Sequence, residues 1–217
     1  MNPALIELII LAGIAVFLFL RLRSVLGTRE GFEKPRMQPK NDAPKRDFKV
    51  IDGGEDKDIT DNVEKNSKSA KALKTIKEKD ETFTVNEFLS GARSAYEWIL
   101  MSFEKNEIDD IRELLSEEVA EAFDSVVEHR ISQGLTIEAE FIGVREMKLV
   151  DASYNSKTKT AEIAVSFIGE MTSVVKNSSG EIVEGDSKQI KRQKDTWTFS
   201  KDIQSSNPNW LLVATGE

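Results

Sequence analysis

The chain has 217 residues, 31% charged and 39% hydrophobic, with 30 Lys+Arg against 38 Asp+Glu and a net charge of −8. An acidic balance is a poor match for phosphate backbones and argues against a nucleic-acid partner. The absence of cysteine removes disulfides, zinc-thiolate sites and thiol nucleophiles together.

The chain opens with an apolar run from Ala4 to Leu20 that stops at Arg21-Leu22-Arg23. At about 1.5 Å per residue this run spans roughly 25 Å, and Leu22, Val25 and Leu26 can lengthen it while the arginines snorkel. The residues expected to form a membrane anchor are Leu8, Ile9, Ile10, Leu11, Ile14, Val16, Phe17, Leu18, Phe19 and Leu20, closed by Arg21 and Arg23. No Lys or Arg precedes the run and no small-x-small site follows it, so a retained single span is favoured over a cleaved signal. By the positive-inside rule the body of the chain is expected on the cytoplasmic side of a bacterial inner membrane.

Residues 28–82 read as a flexible charged linker. Pro35, Pro39 and Pro44 come close together, and Gly53-Gly54 precedes an acidic cluster. Such a segment has too little apolar surface to offset the entropy of ordering it. Within it Lys65, Lys68, Lys71, Lys74 and Lys77 recur every third residue. As a helix this stripe could lie on an anionic leaflet, although Leu73 and Ile76 supply little area for that and a solvated spacer is the simpler expectation.

Order is expected from Phe83, giving a folded domain over 83–217 that holds 14 Lys+Arg and 24 Asp+Glu. Thr84-Val85-Asn86-Glu87 has the form of a capping box. Behind it Val85, Phe88, Leu89, Ala92, Tyr96, Ile99, Leu100 and Phe103 repeat at helical spacing. Ile108 to Leu115 predicts a short second helix. Ser116 caps a third, with Val119, Phe123, Val126, Val127 and Ile131 on its apolar side, ending near Gly134.

After Gly134 the period changes to two. A strand is expected from about Glu138 to Ala152, a second carrying Ala161, Ile163, Val165 and Phe167, and a short one from Glu181 to Glu184. Trp197 and Phe199 alternate with Thr196 and Thr198 on another, and Trp210 to Thr215 forms the last. Three helices followed by a curved antiparallel sheet predict an α+β fold with the helices on one face.

These residues also carry a resemblance. Arg21-Leu22-Arg23-Ser24-Val25-Leu26-Gly27 and Phe88-Leu89-Ser90-Gly91-Ala92-Arg93, with Tyr96-Glu97 one turn later, are similar to the bacterial membrane-anchored relatives of the mitochondrial translocase tether. That tether is subunit forty-four of the inner-membrane presequence translocase. Leu114-Leu115-Ser116, Val183-Glu184-Gly185-Asp186, Asp195-Thr196-Trp197-Thr198-Phe199 and Pro208-Asn209-Trp210 continue the match. The resemblance implies a nuclear-transport-factor-two-like cone, with helices closing a curved sheet over a pocket. In mitochondria the family holds an Hsp70 chaperone and incoming polypeptide at the translocon, and its domain is associated with lipid-facing helices.

The expected function is therefore that of an inner-membrane scaffold. Its cone would engage a partner polypeptide (a translocase, chaperone or membrane-protein client) or a lipid in translocation, assembly or quality control. The alternative is a membrane-tethered isomerase or hydrolase of the same fold, which would need an acid or base on the inward sheet face. The face carrying Ile163, Val165 and Phe167 and the face carrying Trp197 and Phe199 are expected to hold no carboxylate. His129, the sole histidine, suits a helix C-terminus. No catalytic residue, metal ligand or cofactor is expected. Candidate pocket or partner contacts are Tyr96, Trp98, Phe141, Phe167 and Trp197, with Trp98 off the main apolar stripe.

Overall fold

The computed structural model describes residues 55–216, all within a compact unit that runs from residue 52 to 217. The expected anchor, with its residues from Leu8 to Arg23, and the first part of the expected linker lie outside the described residues. Among the described residues no helix is long and apolar enough to cross a membrane.

The elements are α1 (Lys57–Thr60), α2 (Lys68–Lys79), α3 (Val85–Glu104), a 3-10 helix (Ile108–Leu114), α4 (Glu117–Ser132), β1 (Thr136–Asn155), β2 (Thr160–Lys176), β3 (Ile182–Asp202) and β4 (Leu211–Gly216). The four strands form one antiparallel sheet in sequence order. This is an α+β domain, as expected, and its several helices over one sheet are consistent with the cone that the resemblance implies.

Cross-strand pairing sets up the inward face. Leu149, Val165 and Trp197 form one row, and Ala152, Ile163 and Phe199 the next. All six are buried. Against them α3 lays Val85, Phe88, Leu89, Ala92, Tyr96, Ile99 and Leu100, the stripe that the helical period picks out. The N-terminus of α3 is capped as its sequence dictates, with the Thr84 hydroxyl accepting from Glu87 N at 3.2 Å. On α4, Ser116 caps and Val119 and Val127 are buried, whereas Val126 and Ile131 of the expected apolar side are exposed. The short strand expected at Glu181–Glu184 is instead the start of the long β3.

The folded body begins well before Phe83, which corrects the reading of residues 57–80 as part of a flexible linker. Ile59, Leu73 and Ile76 join the core, the last two fully buried. A second reason is polar. Asp58 reaches across 27 residues to the start of α3, where Oδ2 accepts from Val85 N at 2.8 Å and Oδ1 from Asn86 N at 3.0 Å. The Lys77 ammonium sits 2.9 Å from the same carboxylate. Two orphan amides at the positive end of a 20-residue helix are thereby satisfied by a charge from outside it. At the same end of α2 its C-cap Asp80 meets Lys201 of β3 at 3.2 Å, and at the opposite end Ser69 donates to Asp151 of β1 at 2.8 Å. No apolar period announces these contacts, so a composition argument misses them.

Burial pushes the Asp58 carboxyl up, but the Val85 and Asn86 amides and the Lys77 ammonium outweigh it and hold it below 3.8. A carboxyl depressed in the folded state stabilises the fold above its unfolded pKa, and this contribution is lost as pH falls through the folded value. The wild-type chain is expected to lose stability steeply below about pH 4. Asp58→Asn should flatten that acid limb in urea melts taken across pH, and Asp58→Ala should cost about 1–2 kcal/mol at pH 7.

Candidate functional site

The structure brings four of the five candidate pocket residues together. Tyr96 of α3 lies flat on Phe167 of β2, with centroids 4.4 Å apart and planes at 10°. Trp197 of β3 tilts against it at 4.7 Å, and Phe141 of β1 meets it edge-on at 6.2 Å. The cluster is solid core. Tyr96 and Phe167 are fully buried and Trp197 is 4% exposed, so these rings fill the space that a pocket would need. Trp98, one turn-face away on α3, stands apart at 53% exposed.

At the centre of this cluster is a carboxylate that the sequence reading overlooked. Asp195 pairs directly with Phe167 across β2 and β3 and is buried. It lies two residues before Trp197, and therefore on the inward face that was expected to carry no carboxylate. Starting the strand at Thr196 hid it; the period of two carried one step back would have found it. The Tyr96 hydroxyl donates to Asp195 Oδ2 at 2.5 Å, and Gln193 Nε2 donates to Oδ1 at 3.0 Å. Burial, reinforced by the Asp195 carboxylate, pushes the Tyr96 phenol far above its ordinary 10.0, so it stays a protonated donor.

Room for that hydroxyl comes from Gly169, two residues beyond Phe167 on the same face of β2. A Cβ there would lie 2.7 Å from the Tyr96 oxygen and 3.1 Å from Cε1. The pair satisfies a buried charge with a buried hydroxyl and ties α3 to the middle of the sheet.

Open space lies elsewhere. A cleft of about 370 Å³ is lined by Phe83, Phe88, Gly91, Ala95, Leu114 and Trp210, with Asp80 and Glu87 among its polar residues. Phe88 and Trp210 form its aromatic wall, 4.8 Å apart and edge-on. A second hollow of about 480 Å³ lies among Glu146, Lys148, Val150, Ser166, Ile168 and Lys194. Neither is lined by Tyr96 or Asp195. Among the described residues no group of three or more His, Asp or Glu side chains is placed to hold a metal ion.

Trp98 does not line the first cleft, but it lies on the face of α3 that runs on from it. Gly91, Ala95 and Trp98 fall at spacings of four and three along α3, so they share one helix face. Gly91 has nothing within 4 Å of a Cβ position, leaving that face open.

Of the lysine stripe, Lys68, Lys71 and Lys74 are exposed along α2. Lys77 is held by Asp56 at 2.7 Å and Asp58 at 2.9 Å, and Lys65 pairs with Glu55. Leu73 and Ile76, the apolar residues between them, face the domain's own core. At the far end of α3, Arg130 of α4 lies over the Phe103 ring at 4.3 Å, donates to the Phe103 carbonyl at 3.0 Å and sits 3.6 Å from Glu104. The acidic run from Glu107 to Glu121 is a solvated face, and His129 is exposed in the last turn of α4.

The Tim44-like domain family matches residues 69–217, starting within α2 and covering all four strands. The chain belongs to the Tim44-like domain family. That family is associated with scaffolding in protein translocation. No curated protein matches the chain. Among solved structures, the intermembrane space region of the chloroplast protein ARC6 is similar over 59% of this chain and 94% of that one, at 8% identity and a TM-score of 0.40. A likeness that slight has no bearing on function.

The Tyr96 cluster makes a specific stability prediction. Tyr96→Phe keeps the ring but removes a donor from a buried carboxylate, and should cost about 1–3 kcal/mol in urea unfolding. Gly169→Ala should cost a similar amount by overpacking, about 1–3 kcal/mol. In the double variant the contact with the hydroxyl is gone, so the two penalties should fall short of their sum by about 0.5 kcal/mol or more. Strict additivity would mean that Gly169 does not make room for the hydroxyl.

Proposed function

We propose that this chain is a membrane-tethered scaffold whose folded domain binds an apolar segment of a partner polypeptide during translocation, membrane-protein assembly or quality control. The observation that carries this reading is the cleft beside α3. Half-buried Trp210 offers aromatic surface there, backed by the buried Phe83 and Phe88, and the open face of α3 continues from Gly91 through Ala95 to the exposed Trp98. A half-buried aromatic wall beside a small-residue face suits an apolar chain segment. Family membership supports the same reading, since translocation scaffolds handle unfolded polypeptide.

The tether is the apolar run from Ala4 to Leu20, placing the domain at the cytoplasmic face of an inner membrane. Tethering raises the local concentration of a weak binder at the bilayer. The exposed Lys68, Lys71 and Lys74 would add attraction to an anionic leaflet.

The enzyme alternative fares less well. Tyr96 and Asp195 are an acid–base pair of the type such chemistry uses, yet both are buried in a filled core and neither lines a cleft. A substrate has no room beside them.

Photoreactive residues placed at Gly91 and Trp98 in intact cells test the proposal, with the exposed hairpin residue Lys157 as control. Polypeptide adducts are expected from the first two positions and not from the third. Trp98→Ser should lower the yield at Gly91 by about fivefold, the size of a modest hot spot, without a change in thermal melting. Equal yields at all three positions, or lipid adducts alone, would overturn it.

A further inference from the structure

One wall of the cleft beside α3 is built differently from the others. Glu87, Gly91 and Ala95 belong to α3, and Phe199 and Lys201 to β3, but Pro208, Asn209 and Trp210 come from the connection between β3 and β4. Residues 204–209 of that connection are all exposed. Their hydrogen bonds stay inside it. Gln204 N donates to Asp202 Oδ1 at 2.9 Å, and Ser205 N to the Asp202 carbonyl at 3.1 Å. Asn207 N donates to Ser205 Oγ at 3.1 Å, and Asn209 N to Asn207 Oδ1 at 2.9 Å. Among the described residues, no hydrogen bond or ion pair of 204–209 reaches α3 or any part of the sheet beyond Asp202.

Both ends of the connection are fixed. Ile203 N donates to the Lys159 carbonyl at 3.0 Å, and past Trp210 the carbonyl of the buried Leu212 accepts from Ser116 N at 2.9 Å. Between these posts, half-buried Trp210 is the apolar side chain that packs on the core. Its ring meets Phe88 edge-on with centroids 4.8 Å apart and tilts against Phe83 at 5.8 Å. Phe83 and Phe88 are themselves buried.

A segment whose polar bonds are internal moves as a body without breaking any of them. Pro208 stiffens it further by fixing its own φ and restricting Asn207. Displacing the segment sacrifices chiefly the ring contacts of Trp210. An apolar side chain arriving on Phe83 and Phe88 restores that buried area, so a ligand of this kind shifts the balance toward the displaced state.

We propose that residues 204–210 form a flap on the cleft, with Trp210 as its latch. The ring seats on Phe83 and Phe88 when the cleft is empty and lifts off them to admit an apolar side chain of the bound polypeptide. This gating presupposes that the cleft is the binding site for an apolar segment. Affinity then scales with the fraction of chains whose latch is open.

The chain has three tryptophans and no cysteine, which makes two measurements selective. In the full chain labelled with fluorotryptophan in detergent micelles, the fluorine line of Trp210 should be broadened by exchange. The line of Trp197, fixed in the core, should be sharp. Replacing each tryptophan in turn by Phe assigns the lines. A water-soluble fluorescent peptide with a Leu-Phe-Leu centre between serines should shift and sharpen the Trp210 line. Asn209→Cys with Glu87→Cys then places one thiol on the flap and one on α3. A bis-maleimide bridge between them pins the flap, whereas two monofunctional maleimide caps leave it free. Anisotropy should show the bridged chain binding the peptide about fivefold or more weakly than the capped chain. A Trp210 line as sharp as that of Trp197 at every temperature, or equal affinity of bridged and capped chains, sinks the flap and leaves the cleft reading intact. Absence of peptide binding to the unsubstituted chain removes both. The fluorine measurement needs no substitution in the cleft, so it decides the matter even where the thiol pair weakens the fold.

Discussion

Helix α3 is held to the sheet at one point where packing and polarity have to agree. Tyr96 buries its ring flat on Phe167 and points its hydroxyl at Asp195, the residue directly opposite Phe167 on the next strand. A buried carboxylate without donors would cost several kcal/mol, and a buried phenol without an acceptor would also be unfavourable. Each group removes the penalty of the other only while helix and sheet keep their registers. Gly169 completes the arrangement by leaving the phenol its space. The apolar stripe of α3 supplies the attraction, and this pair fixes where along the sheet the helix rests.

Around that anchor the helices are tied down at their ends. Asp58 caps the start of α3 from a distant segment, Lys201 meets Asp80 at the end of α2, and Arg130 joins the end of α3 to α4. These contacts are polar and partly buried, where charge-assisted hydrogen bonds are stronger than on an open surface. For Arg130, burial lowers the guanidinium pKa while Glu104 opposes the shift. The segment before Phe83 therefore belongs to the fold by electrostatics as much as by its few apolar residues.

Filling the interior moves the available surfaces outward. With its centre occupied by Tyr96, Phe167, Trp197 and Phe199, the domain has its open space at the periphery. The cleft beside α3 is largely apolar, with Asp80 and Glu87 at its polar side.

Much of the domain was legible from residue order alone. The α3 stripe, the Thr84 and Ser116 caps, the alternation in β2 and the helix-then-sheet order depend on local propensity and periodicity, which neighbours in sequence determine. The motifs that carry the family resemblance are likewise local. Asp195 was legible too, by extending the period of two past Thr196. What the sequence could not disclose is what the rings enclose. Aromatics at inward positions are the same letters whether they line a hollow or fill it, and the difference rests on volumes meeting across strands far apart in sequence. The role of Asp58 is of the same kind, because a cap supplied from 27 residues away leaves no spacing signal. Sequence by itself determined α3, α4, β2 and the helix-then-sheet order, with most of their buried faces, since these follow from nearest-neighbour chemistry. Tertiary structure decided that the centre is solid, that the segment from Lys57 to Lys79 packs into the domain, and that a cleft remains beside α3, since each depends on contacts that only the folded chain brings together.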